Sequence, residues 1–302
     1  MAYEIALLEQ IERWVDSGIL PIPSCGERIV ELGSQQLVRG ISHDAVVKFI
    51  RKFRPDSDAA EVSAPLPVNY YGAIYVDEIW HRCGLDYISY DVVEAPRSRV
   101  FDLNFHQVPS ADQQSALFVT NIGTTEHLAN QLNAFRTVHD LLKVGGVAIH
   151  AVPFTGMFNH SLFNYHPKFF FSLIVNNCYR LRHVEFRGPG LHAAWDPGNT
   201  IFDGDYLTHH PRLPGSEAWS AITLHSGMIY LIIERRHPDA FVPPVDFASG
   251  YFGDIPTGDL SALVGVDELP ANAWADAYRR GVTPSQQELV PQSTSTSHLS
   301  SE

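Results

Sequence analysis

The chain has 302 residues, 45% of them hydrophobic, with 21 Lys and Arg against 34 Asp and Glu for a net charge of −13. That is enough apolar material for one large α/β domain or two small ones, and the acidic balance argues against a nucleic acid as partner, since phosphate backbones are held by clustered Lys and Arg. No run of about 18 apolar residues marks a membrane span, residues 1–20 lack the basic start and apolar core of a signal peptide, and Cys25, Cys83 and Cys178 are odd in number and far apart, which fits a reducing, cytoplasmic setting.

Residues 3–17 place Ile5, Leu8, Ile11, Trp14 and Val15 at helical spacing, with Glu4, Glu9, Glu12 and Asp16 between them; an amphipathic helix ending at Gly18 is predicted. A Pro-containing connector leads to a short strand, 28–32, stopped by Gly33. A helix over 43–53 follows, then a loose stretch, 55–67, and a helix over 70–84. Strand-like runs come next at 87–93, 99–103 and 116–121. Glu126–Leu142 reads as a strong amphipathic helix closed by Gly145-Gly146, and 147–152 as a buried strand. A helix over 167–179 opens on Pro167, and 182–187 and 228–235 are the last two strands.

Strands alternating with helices predict a doubly wound, mostly parallel sheet of seven strands, with helices on both faces. The final strands lack a clear intervening helix, so one antiparallel strand is expected near the edge. The expected organisation is an N-terminal helix and connector (1–26), a main domain (27–236) with an irregular insert (188–220), a C-terminal extension (237–283) with a helix at 271–279, and a Ser-, Thr- and Gln-rich tail (284–302) expected to be disordered.

Ligands of such sheets sit at the carboxyl ends of the strands. Four ends carry chemistry. Glu31-Leu32-Gly33-Ser34-Gln35 is an acid followed by a glycine turn that brings backbone N–H groups close to a ligand. Asp91 ends the next strand and suits a ribose diol. Asp102-Leu103-Asn104 offers an acid and an amide to an adenine edge. Asn121-Ile122-Gly123-Thr124-Thr125-Glu126-His127 is a polar turn in which Thr and Glu are available as helix caps. Each acid alone is more often a solvated strand end; their succession after a Glu-Leu-Gly turn points to a nucleoside pocket. After the following strand, Asn159–Phe170 faces the same edge. His127, His150, His160 and His166 are candidate general bases there, since imidazole accepts protons near neutral pH, with His127 and His160 foremost. Phe158, Asn164 and Tyr165, with His150 and His166, are candidate acceptor-binding residues. Zinc is the rival reading of these histidines; with no nearby Cys and no His-x-x-x-His pair, no metal ligand is assigned.

The order Glu31-Leu32-Gly33, Asp91, Asp102-Leu103-Asn104, Asn121 to His127 and Gly145-Gly146 resembles a class I S-adenosylmethionine-dependent methyltransferase over about 27–236. The stretch 120–131 with 159–170 resembles a group of bacterial methyltransferase-domain proteins. The resemblance implies a Rossmann-like methyltransferase fold with S-adenosyl-L-methionine as cofactor. Its methionine end would lie at Glu31, Gly33, Ser34 and Gln35, its ribose at Asp91, and its adenine near Asp102 and Leu103, with Asn121, Gly123 and Thr124 beside them. Two features depart from the family pattern: Gly33 stands alone where two or three glycines are usual, and the spacing to Asp91 is long. The expected reaction is methyl transfer to an oxygen or nitrogen of a small molecule, with no nucleic-acid or membrane partner. The alternatives are a non-catalytic cofactor-binding or scaffold protein, or a nicotinamide-dependent oxidoreductase, against which stands the missing Gly-x-Gly-x-x-Gly.

Overall fold

A computed structural model describes residues 3–38, 41–68, 74–156, 160–188, 191–194, 227–245, 260, 263–269 and 273–281. Its strands are β1 (Arg28–Leu32), β2 (Asp86–Asp91), β3 (Ser98–Val100), β4 (Ala116–Ile122), β5 (Leu142–Thr155), β6 (Arg180–Gly188), β7 (Leu191–Ala194) and β8 (Gly227–Glu234). They form one sheet in the order β3-β2-β1-β4-β5-β8-β6-β7. β1 to β5 run parallel, and β8 lies antiparallel between β5 and β6.

The doubly wound class is as expected, with one difference among the described residues: β7 is an added strand that hairpins onto β6, so the sheet has eight strands. The antiparallel β8 lies near the edge as expected, between β5 and β6.

Alternation along the strands builds two cores. Ile29, Phe118, Ile149 and Ile232 join one cluster with α1 (Ile5–Asp16), α2 (His43–Phe53) and α4 (Asp77–Arg82). Val30, Val119, Ala148 and Leu231 join the other with α5 (Gln131–Leu141) and α6 (Pro167–Asn177). Successive strand residues point to opposite faces, so near-continuous apolar runs serve both layers. α3 (Ala59–Ser63) and α7 (Ala273–Arg279) complete the helices; α7 docks on α6 through Arg279, which donates to the Asn176 carbonyl.

Three local expectations change. α5 starts at Gln131 rather than Glu126, because Leu128 is extended and Asn130 caps the helix by accepting from the Asn133 N–H at 3.1 Å. Before it, Thr125–His127 is a single 3-10 turn. α4 starts at Asp77 because the preceding chain is extended and pairs with the β1 turn: Leu37 N–H donates to Ile74 O, and Val76 N–H to Gln35 O. Gly145-Gly146 lies within β5 instead of ending the helix. There Gly145 N–H donates to Arg235 O, and Arg235 N–H to Gly146 O. No helix among the described residues is long and apolar enough to cross a membrane. The tail 284–302 and nearly all of the insert lie outside the described residues.

Candidate functional site

The chain reverses its order of strand addition between β1 and β4, and their carboxyl ends sit side by side. Such a switch point opens a crevice in a doubly wound sheet. Gly33 adopts φ +76°, and a Cβ there would meet Thr124 Oγ1 at 2.7 Å; both the backbone conformation and the close approach require glycine. Thr124 donates to the Leu32 carbonyl at 2.6 Å, and Gln35 Nε2 donates to Thr124 Oγ1 at 3.1 Å. The other end of the Gln35 amide, Oε1, is buried without a partner. Ser34 N–H donates to the Asp91 carboxylate at 2.6 Å, and its hydroxyl lies 2.8 Å from that of Ser89. Turns from β1, β2 and β4 are thus stitched into one rim.

Glu31 has a different place from the one expected. It is fully buried and accepts from Tyr3 at 2.8 Å, Tyr87 at 2.6 Å, Thr120 at 3.2 Å and the Gln35 N–H at 3.3 Å. Burial pushes its carboxyl up to about 7 against the pull of those donors. It organises the turn from beneath instead of presenting an acid to a ligand.

Asp102, Leu103 and Asn104 follow β3. Asp102 is partly exposed, and its Oδ1 accepts from the Asn104 N–H at 2.8 Å and Nδ2 at 3.0 Å. Leu103 is buried, its carbonyl accepting from Asn133 of α5. Asn104 reaches the cap of α5 through Asn130. This turn is therefore hydrogen-bonded to the helix that follows β4.

The ends of β4 and β5 carry the remaining candidates. Asn121 is buried; its Nδ2 lies 2.8 Å from Thr125 Oγ1 and 3.1 Å from His150 Nδ1. Gly123 turns the chain at φ +69° and donates to Ala151 O. His150 is not a wall of the crevice: it is 0% exposed, its ring sits between Phe135 and Phe170, and burial lowers its pKa to about 3. Tyr165 is likewise internal, spending its hydroxyl on Thr125 at 2.8 Å and Gln131 at 2.6 Å. Both leave the list of acceptor-binding residues. Asn164 and His166 are exposed in the same loop, the first donating to Gly156 O and the second capping α6. Phe158 lies outside the described residues.

His127 and His160 do come together, with ring centroids 5.0 Å apart at 70°. Both are exposed at the mouth of the turn. Burial, then the neighbouring His160, lowers the His127 pKa; a three-residue 3-10 turn supplies little dipole, so desolvation is the cause. Beside them Glu126 is fully buried, with neither carboxylate oxygen hydrogen-bonded and its pKa pushed up to about 7 by burial. The sequence offers it as a helix cap, and the structure places it inside. Nothing in the local pattern separates an exposed cap from a carboxylate roofed by a loop more than thirty residues onward.

Residues 70–185, from the approach to α4 through most of β6, match a protein family described as a methyltransferase domain. Over these residues the chain is similar to that family. The matched segment takes in β2, β3, β4 and β5 and leaves β1 and the Gly33 turn outside. No curated protein matches the chain. Among solved structures, a geranyl diphosphate methyltransferase in complex with SAM is similar at 9% identity and a TM-score of 0.41, covering 76% of this chain and 85% of that one. StiE O-MT is similar at 12% identity and 0.39, covering 78% and 75%. A SAM-dependent methyltransferase from Archaeoglobus fulgidus is similar at 11% identity and 0.36, covering 75% and 94%. The matched segment contributes His127, His160 and His166, and the preceding segment contributes the glycine turn.

Proposed function

We propose that the chain transfers a methyl group from S-adenosylmethionine to an oxygen or nitrogen of a small-molecule acceptor. The observation that carries this reading is the rim where the Gly33 turn after β1 closes on Thr124 after β4, at the switch point of a sheet in which β4 and β5 lie within the segment that matches a methyltransferase-domain family.

The residues present fit the cofactor. Backbone bare of Cβ at Gly33 and the unpaired Gln35 Oε1 suit the ammonium and carboxylate of its methionine end. Asp91, partly exposed beside Ser34, would hold the ribose, and Asp102 with Leu103 the adenine. When bound, the cofactor supplies an electrophilic methyl on a sulfonium. The chain's own task is to place an acceptor in line with it. Asn164 and His166 lie in the exposed loop after β5, where an acceptor would enter. His127, whose pKa burial lowers, and His160 are the imidazoles placed to take a proton from a neutral acceptor.

Calorimetric titration with S-adenosylmethionine and S-adenosylhomocysteine tests the reading. Asp102→Ala should weaken binding by roughly 1–3 kcal/mol, the scale of one lost hydrogen bond to a polar ligand. Unchanged affinity in that variant, or no binding to the parent chain, overturns it.

A further inference from the structure

We propose that Glu126, His127 and His160 form a site for one divalent first-row transition-metal ion. Each offers a ligand atom, and the three atoms lie within 4.8 Å of one another. The carboxylate makes no hydrogen bond to either ring, and the two rings stand edge to face.

Glu126 supplies the independent observation. Its side chain is 0% exposed, and both oxygens are buried without a partner. A carboxylate taken out of water and left unpaired is costly, and such groups are normally paired or bound to metal. No side chain among the described residues forms an ion pair with Glu126, and the groups adjoining it are two imidazoles.

The support around the three is already in place. The Glu126 carbonyl accepts from the N–H groups of Leu162 at 3.0 Å and Phe163 at 3.1 Å. Tyr165 reaches back to Thr125, and Tyr165 N–H donates to Pro153 O at 2.8 Å. The loop carrying His160 is thereby tied to the turn carrying Glu126 and His127, so the set does not depend on a loose segment. Two imidazoles and one carboxylate select an ion that takes nitrogen as well as oxygen, which disfavours magnesium and calcium. Three protein ligands leave further positions open, and the exposure of both histidines puts those positions on the solvent side, where an acceptor enters; with an ion bound the two imidazoles serve as its ligands, and their role as bases belongs to the ion-free chain. Sequence spacing hid the set because adjacent residues of a 3-10 turn converge with a residue from a different loop, a pattern with no helical His-x-x-x-His signature.

The site is tested by binding alone, without cofactor, so its failure is separate from failure of the methyl-transfer reading. Full-length protein stripped with a chelator and dialysed is titrated with Zn²⁺, Co²⁺ and, as a control, Mg²⁺. One equivalent of Zn²⁺ should bind, Co²⁺ should give visible d–d absorption, and Mg²⁺ should bind far more weakly. Replacing a ligand should cost at least the roughly 10–100-fold that loss of a supporting residue costs a metal site. His127→Ala and His160→Ala, both at exposed positions, should show that loss while keeping the parent's circular dichroism, and Glu126→Gln should follow them. His81→Ala, at an exposed position of α4, should bind as the parent does. No stoichiometric Zn²⁺ binding overturns the proposal, as does binding that His127→Ala and His160→Ala leave intact.

Discussion

At the scale of single residues, two buried carboxyls set the pH behaviour. Burial raises Glu31 and Glu126 from the ordinary value to about 7 each. A carboxyl with a raised folded-state pKa binds its proton more tightly when folded. Its contribution is full below the unfolded value and is lost as pH rises through the folded one. Buried His139 and His150, lowered to about 4 and about 3, act in the opposite sense: their contribution is present above the unfolded histidine value and lost as pH falls. Over the shared window, from about pH 4.5 to 6.5, the two effects offset, so a single variant is needed to isolate one. In the presence of chelator, Glu126→Gln should gain stability relative to the parent between pH 4.5 and 8 by up to about 3 kcal/mol. Urea denaturation across that range measures it; a pH-independent difference would show that Glu126 titrates normally. Glu31→Ala should instead destabilise at every pH, because Tyr3 and Tyr87 would keep buried hydroxyls without their acceptor, at about 1–3 kcal/mol each. What the sequence could not disclose at this scale was burial. Glu31, Glu126, His150 and Tyr165 all read as rim residues, because a polar side chain near a strand end looks the same whether a loop covers it or not.

At the scale of elements, the Gly33 turn and the Thr124 turn behave as one unit. Gly33→Ala forces a side chain into a left-handed backbone position and against Thr124 Oγ1. The backbone conformation alone costs roughly 1–2 kcal/mol. The expected result is a fall of several degrees in melting temperature together with at least a tenfold loss of cofactor affinity. A loss of stability with affinity unchanged would mean that the turn only packs. The strands and most helices were legible from periodicity, because alternating burial and amphipathic stripes are local properties. The starts of α4 and α5 were not. Their first turns are diverted by partners far along the chain: Tyr75 pairs with Gln36, and Asn130 is held by Asn104. Class and strand sequence were therefore readable, while the position of β8 between β5 and β6 depends on long-range pairing that no local pattern records.

At the scale of the whole molecule, charge limits partners. With −13 net, binding to a random oligonucleotide should be weaker than micromolar; fluorescence anisotropy finding submicromolar, salt-sensitive binding would contradict this. The same scale brings out a consequence of the inserted β8. During synthesis the ribosome delivers β5, then β6, and only later the strand that belongs between them. Until residue 234 has emerged, β5 has a bare hydrogen-bonding margin, and β6 has no route into the sheet other than its own hairpin with β7. The nascent chain thus spends an interval with an adhesive flank, the situation in which unpaired strands recruit neighbours. A chain ended at residue 226 should accumulate as aggregate, whereas supplying a peptide spanning 227–236 during refolding should rescue part of it in soluble form, as measured by sedimentation. Equal solubility of the shortened and full chains would show that the parallel half guards its own flank.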